Sequence, residues 1–339
     1  MNKSTKNDLG TLDEIALRNV EGVQGVDTFT HDSVPYVLLS HQYRGSSVLS
    51  VFDARMISEN SDPANVVHVP SLSEKGSILG RVRCDQSFQW SDGSRGAFVV
   101  ARHHVAGLGA YGVVQWDYGF LAGKISELFD TNNPVQWKNI SVGSYRISDF
   151  DILQRDGRIY FCQNNVLHSC SLNDDEEPAV FKVGANKQDV PAEFIANNGT
   201  VLYARWYDFS QFKSVGFVID TVEKKICEKQ REIMTARSFR CQDRYLFVED
   251  WKSNGESRFK GRSNDESRSI HVFRESSPED RILFDVGTFS LRGTFPPVSP
   301  NAQLRGTLYT EMAYSSETET LFAVAGYDVL KGRFVAGKD

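Results

Sequence analysis

The sequence predicts an all-β fold: a six-bladed β-propeller of four-stranded antiparallel blades, closed by a strand from the N-terminus. Three observations carry that prediction. A paired-strand pattern recurs six times along the 339 residues. Tight-turn signals stand before most of the recurrences. The composition (26 Gly, 22 Phe and 12 Tyr, but only 4 Met) favours strands and turns.

The recurring unit is an apolar run, a polar turn, and a second apolar run. The second runs are VPYVLLSHQ from Val34, GAFVVARHH from Gly96, GRIYFCQNN from Gly157, TVLYARWYD from Thr200, RYLFVEDWK from Arg244 and ETLFAVAGY from Glu319. Their starts lie about 57 residues apart on average, a period that suggests a closed repeat array. The turns before them read Ser91-Asp92-Gly93, Asp156-Gly157 and Asn197-Asn198-Gly199, with Gln242-Asp243 and Glu317-Thr318-Glu319 as weaker forms. Asp-Gly and Asn-Gly readily supply the positive φ of a tight hairpin.

A third strand is expected to end at Asp53, Asp117, Leu172, Asp220, Phe273 and Ala336. A fourth is expected as VVHV at Val66, KISELF at Lys124, AVFKV at Ala179, KKICEK at Lys224 and RILFDV at Arg281. The chain ends before the last unit has a fourth strand, and Thr11 to Leu17 could supply it. That would remove the two sheet edges of an open ring. On this reading residues 1–339 form one domain. A seven-bladed ring is the alternative, because some spacings exceed 60 residues. The excess length is read instead as loops at Ser58–Gly80, Lys252–Ser267 and Thr288–Gly306.

Large apolar residues followed by Asp close three of the third strands, once as Trp116-Asp117. This resembles the WD-repeat pattern, without its Gly-His partner motif. The resemblance covers the repeat architecture and implies, at most, an interaction scaffold.

The net charge of −6 argues against a general nucleic-acid binder. No apolar run is long enough for a transmembrane helix. Five cysteines without a C-x-x-C spacing fit reduced thiols, hence a cytoplasmic protein, read here as a monomer. The sequons at Asn139 and Asn198 are read as chance matches. Walker, G-x-G-x-x-G, G-x-S-x-G, H-E-x-x-H and EF-hand motifs are absent.

In such a ring the short turns between strands one and two share one face. The longer, varied connections share the other, and the site is expected there. His41, His103 and His104 are the candidate acid–base groups, with Asp149 or Glu193 as carboxylate partner. His103 and His104, adjacent on a strand, should point to opposite sides of the sheet. Trp206, Tyr207, Trp251, Tyr43 and Tyr327 are candidate ligand walls. Arg83, Arg146, Arg237 and Glu311 complete the candidate ligand-binding set. The arginines would bind an anion or pair with channel acids such as Asp27 and Asp85. No cofactor is assigned. A channel calcium ion stays open on architecture alone.

Two functions follow. One is an asymmetric small-molecule pocket at the channel mouth, serving a cofactor-independent hydrolase, lyase or isomerase. The other is an intracellular scaffold with a protein partner. Neither nucleic acid nor membrane is an expected partner.

Overall fold

A computed structural model describes residues 7–43, 46–70, 77–108, 114–153, 155–208, 210–234, 236, 238–251, 268–276, 282–291, 307–326 and 328–335. Strands make up almost all of the regular structure. β1 (Asp8–Ile15) comes first. Four four-stranded antiparallel sheets follow the chain order, each starting from its innermost strand. The first holds β2 (Glu21–His31), β3 (Val34–Tyr43), β4 (Ser46–Asp53) and β5 (Asn65–His68). The second holds β6 (Ser77–Gln89), β7 (Arg95–Leu108), β8 (Val114–Lys124) and β9 (Lys138–Gly143). The third holds β10 (Ile147–Leu153), β11 (Arg158–Gln163), β12 (Val166–Ser171) and β13 (Ala179–Val180). A small pair, β14 (Lys182–Val183) and β15 (Gln188–Asp189), stands apart. The next sheet is β16 (Phe194–Asn197), β17 (Leu202–Asp208), β18 (Lys213–Asp220) and β19 (Lys225–Lys229).

The remaining strands share one eight-stranded sheet. They are β20 (Ser238–Gln242), β21 (Tyr245–Trp251), β22 (Arg268–Glu275), β23 (Leu283–Leu291), β24 (Thr307–Ser315), β25 (Thr320–Gly326) and β26 (Asp328–Arg333). β1 is the join. It runs antiparallel to β26, with Asp13 opposite Lys331, and parallel to β23, with Gly10 opposite Phe289. Its parallel contact with β23 follows from no feature of the repeat.

Successive first strands pack on one another: β2 on β6, β6 on β10, β10 on β16, β16 on β20, β20 on β24, and β24 back on β2. This ring of sheets around a common centre is the arrangement of a β-propeller. The apolar cores lie between neighbouring sheets. Phe29, Leu38 and Leu49 of the first sheet pack with Leu79, Val82 and Phe98 of the second. Phe98 and Phe120 are buried, as alternation on a two-faced sheet requires. Each such ring gains roughly 1.5–3 kcal/mol from leaving water.

The hairpin turns adopt the strained backbone that their residues permit. Gly93, Gly157 and Gly199 have φ of +84°, +64° and +91°.

Four expected strands are corrected. In the second sheet the third strand does not stop at Asp117, because Phe120, Leu121 and Ala122 continue it into the core. Ile125–Phe129, expected as a fourth strand, is a 3₁₀ turn that buries Ile125 and Leu128, three residues apart on one side. The true fourth strand is β9. The Ala179–Val183 run is divided at Phe181, which is buried and donates its N–H to Leu167. The last third strand precedes its expected 332–336 position. A turn at Gly326 (φ +74°) starts it at once, and Val329 and Leu330 fill the core. Of the loop expected at Thr288–Gly306, residues 288–291 instead continue β23, where Phe289 and Leu291 are buried; the rest of it and the loop expected at 252–267 lie outside the described residues. Among the described residues, no helix is long and apolar enough to cross a membrane.

The ring centre is tight. A Cβ built on Gly25 would meet the Val82 nitrogen at 2.7 Å and the Arg81 Cα at 2.8 Å. Gly25→Ala should therefore push β2 from β6 and cost about 1–3 kcal/mol, the usual penalty of overpacking. Urea unfolding checks this, and an unchanged midpoint would refute the close approach.

Candidate functional site

The first strands alternate charged and apolar residues, and the charged set meets at the centre of the ring. Arg81 and Arg83 come from β6, Asp149 and Asp151 from β10, Arg240 from β20, Glu311 from β24 and Asp27 from β2. All seven are buried. Arg240 binds Asp27 at 3.0 Å and Asp151 at 2.7 Å. Arg83 binds Glu311 at 2.9 Å, and Arg81 pairs with both Asp149 and Glu311. The carboxylates also take backbone donors from neighbouring inner strands. Asp27 accepts from the Cys84 N–H at 2.7 Å, Asp149 from Ile195 at 3.0 Å and Asp151 from Asn197 at 3.0 Å. Burial pushes the Asp27 and Asp149 carboxyls above their ordinary range, against the pull of the arginines.

Above this cluster, on the side of the hairpin turns, lies a cavity of about 350 Å³. Every inner strand contributes to it. Its lining includes Thr28–Thr30 from β2, Cys84–Ser87 from β6, Asp151–Ile152 from β10 and Asn197–Gly199 at the end of β16. Arg240–Arg244 from β20 and its turn, and Tyr314–Glu317 from β24, complete it. Asp85 uses Oδ1 to accept from the Ser87 and Phe88 N–H groups, while its shielded Oδ2 has no hydrogen-bond partner. Burial, then the charge of Asp151, raises its pKa from 3.8. Glu317 accepts from the Thr30 hydroxyl at 2.6 Å. Arg244 is turned to the carbonyls of Glu275 and Ser276.

The sequence places the site at the opposite face, where the second-strand connections run. The described cavity is at the hairpin face instead. Its residues Asn197, Asn198, Asp243 and Glu317 read as turn formers and were not expected to line a site. The signal that points to them is the alternation of polar or charged with apolar residues along the first strands, as in RVRCD from Arg81 and SFRCQ from Ser238.

Of the expected residues, the structure gathers Arg83, Asp149 and Glu311 in the central cluster, where ion pairing occupies them. His41 is buried elsewhere: Nδ1 donates to the Gln42 carbonyl at 2.7 Å and Nε2 accepts from Ser50 at 2.8 Å. Both ring nitrogens are thus used by the neutral form. Burial lowers its pKa. His103 stacks on Tyr118 and meets Trp116 edge-on. Burial first, then the charges of Arg146 and His104, pushes it down to about 4. An imidazole so low is a weak base near neutral pH. His104 points to the other side, where its Nδ1 accepts from Arg102 at 2.7 Å beside Asp117. The three imidazoles share no hydrogen-bond partner with one another, with Asp149 or with Glu193.

Glu193 lies 3.4 Å from Arg205, and burial raises its pKa. Arg146 is exposed. Tyr43 is half-buried at the end of β3. Trp206 packs against the core between the third and fourth sheets, and Tyr207 is half-buried beside it on β17. Arg237, Tyr327 and the Trp251 side chain lie outside the described residues.

No protein-family model matches the chain, and no curated protein matches its sequence. Solved structures similar to it include two from different proteins. Hydrazine synthase of Kuenenia stuttgartiensis is 12% identical with a TM-score of 0.49, covering 91% of this chain and 75% of that one. The AfRom2 CNH domain is 11% identical with a TM-score of 0.44, covering 92% of this chain and 81% of that one.

Removing one partner from a buried ion pair costs about 3–5 kcal/mol, because the other charge is stranded. Arg240→Met should lose that much at neutral pH by urea unfolding. The deficit should shrink as pH falls, because protonation relieves the stranded Asp27, whose pKa burial already raises. A loss below ~1 kcal/mol would mean that the cluster is not paired in solution. For His103, an NMR titration should show a midpoint near 4. Since the folded value is depressed, its contribution to stability is present above the ordinary 6.5 and is lost as pH falls toward 4. A midpoint near 6.5 would refute the burial.

Proposed function

We propose that the chain is a single-domain, six-bladed propeller that holds one polar small molecule in the cavity at its hairpin face. The blade count takes the eight-stranded sheet as two four-stranded blades, β20–β23 and β24–β26 completed by β1, joined where β1 also pairs with β23. One observation carries the binding reading: every inner strand lines the cavity, and each brings different side chains. An asymmetric wall of amides, hydroxyls and carboxylates around a half-open cleft suits a small ligand held by converging polar groups. A flat docking surface for a protein partner would leave no such volume.

A reaction is not assigned. His41, His103 and His104 are held away from the cavity lining, which removes the support for hydrolase, lyase or isomerase chemistry built on them. Calcium in the channel is not proposed either. Asp27, Asp149, Asp151 and Glu311 already serve guanidiniums, and the three aspartates also accept backbone N–H groups. The five cysteines are free thiols, which favours a reducing compartment such as the cytoplasm.

A thermal-shift screen against small cations, anions and neutral polyols tests this reading. Gln86, exposed at the lining, offers a plug: Gln86→Trp should keep the fold and abolish the shift. A ligand at 100 times its Kd should stabilise by about 2.7 kcal/mol. If every shift survives in Gln86→Trp, the ligand binds elsewhere and the cavity reading fails.

A further inference from the structure

The charge around the cavity is uneven, and this deepens the reading just given, on which it rests. Beneath the cavity, the buried cluster sets four carboxylates against three guanidiniums. In the walls, Asp85, Asp243 and Glu317 have no ion-pair partner among the described residues. Arg244, the basic side chain nearest in sequence, is spent on two backbone carbonyls. A cleft with one sign of excess charge over a low-dielectric floor concentrates ions of the opposite sign. The lining also holds an unfilled acceptor, Asp85 Oδ2, and a buried Arg240 whose Nε has no partner.

We infer that the cavity takes an organic cation, an amine with one or more ammonium groups, in preference to an anion or a neutral sugar. An ammonium carries three donors and no acceptor, which matches carboxylates and hydroxyls. Its hydrogen bonds to carboxylates are charge-assisted and so among the stronger kinds. A bare metal ion fits less well. Among the described residues no three His, Cys, Asp or Glu side chains converge as a metal-ion group. Asp243 and Glu317 lie together at Ser316, while Asp85 comes from β6 on another side of the ring, an arrangement that suits a molecule with separated positive charges. The surrounding Ser87, Ser316 and Thr30 can accept the remaining donors.

The test is calorimetric titration of the full chain at neutral pH and 150 mM salt. Putrescine and spermidine are the cationic probes, citrate the anionic one and trehalose the neutral one. Salt at that level suppresses loose attraction to the acidic surface. The amines should bind, and the double variant Asp243→Asn, Glu317→Gln should weaken them at least tenfold. A surface control of equal charge change, Asp62→Asn with Asp189→Asn, should not. Circular dichroism and the unfolding midpoint confirm that each variant folds. Binding of citrate or trehalose alone, lost in Gln86→Trp, would overturn the cation inference and leave the cavity reading intact. Amine binding that falls equally in the surface control would overturn the inference as surface attraction. No binding by any probe class overturns both readings.

Discussion

The unpaired edge of each innermost strand is the constraint on which the rest of this fold depends. The first strand of a sheet has neighbours on one side only, so its other edge presents bare N–H and C=O groups to the ring centre. Buried and unpaired, each would cost about 1–3 kcal/mol. Water cannot satisfy them where the strands approach as closely as β2 and β6 do at Gly25. Side chains do it instead. Asp27 reaches across to Cys84, Asp149 and Asp151 to Ile195 and Asn197, and Gln242 to Tyr314. The Ser238 and Thr28 hydroxyls take the Thr310 and Tyr314 carbonyls. The side chains able to accept two N–H groups at once are mainly carboxylates, which brings negative charge into the interior. The arginines follow from that charge: Arg81, Arg83 and Arg240 are the counterions of the edge-capping acids.

This arrangement separates the two ends of the ring. The charge cluster fills the middle, so neither end communicates freely with the other. At the hairpin end the strands splay above the cluster and leave the cavity. At the other end the imidazoles occupy local niches. His41 is locked by a carbonyl and a hydroxyl, His103 by aromatic rings, and His104 by the guanidinium of Arg102. The lowered pKa values of His41 and His103 follow from these niches and need no catalytic purpose.

The sequence carried the hairpins well, and physical reasons explain where it did not. The second-strand runs from Val34, Gly157, Thr200 and Glu319 fall on β3, β11, β17 and β25, because period-two burial and Gly or Asn turns are local signals. Lys124–Phe129 misled because apolar residues three apart suit a 3₁₀ turn as well as a short strand. The parallel pairing of β1 with β23 depends on distant residues and leaves no local trace. The site was misplaced for a similar reason. Connection length and aromatic content drew attention to one face. On the other face the same atoms make the turns and line the cavity, so Asn198 and Asp243 looked fully explained by φ alone. The alternation in RVRCD from Arg81 and in Asp149-Phe150-Asp151 was the better guide, since charges repeated at every second position of a buried strand require partners.

Those charges do not balance, and the imbalance has a definite sign. Four carboxylates share three guanidiniums in a buried space. Burial opposes the ionised forms of Asp27 and Asp149 more strongly than the nearby arginines favour them, so both titrate higher in the folded chain than in the unfolded one. The folded state therefore holds on to protons that the unfolded state has released. By linkage, these two groups contribute more to stability as pH falls through their raised range, and that contribution is withdrawn as pH rises beyond it. With its carboxylates ionised, the ring centre carries one more negative than positive charge, set by the need to cap strand edges rather than by any ligand. The cavity lies directly above that charge. Its own acids, Asp85 most of all, add to it because no guanidinium among the described residues pairs with them. A site built on this floor is biased toward positive charge before its walls contribute any specificity.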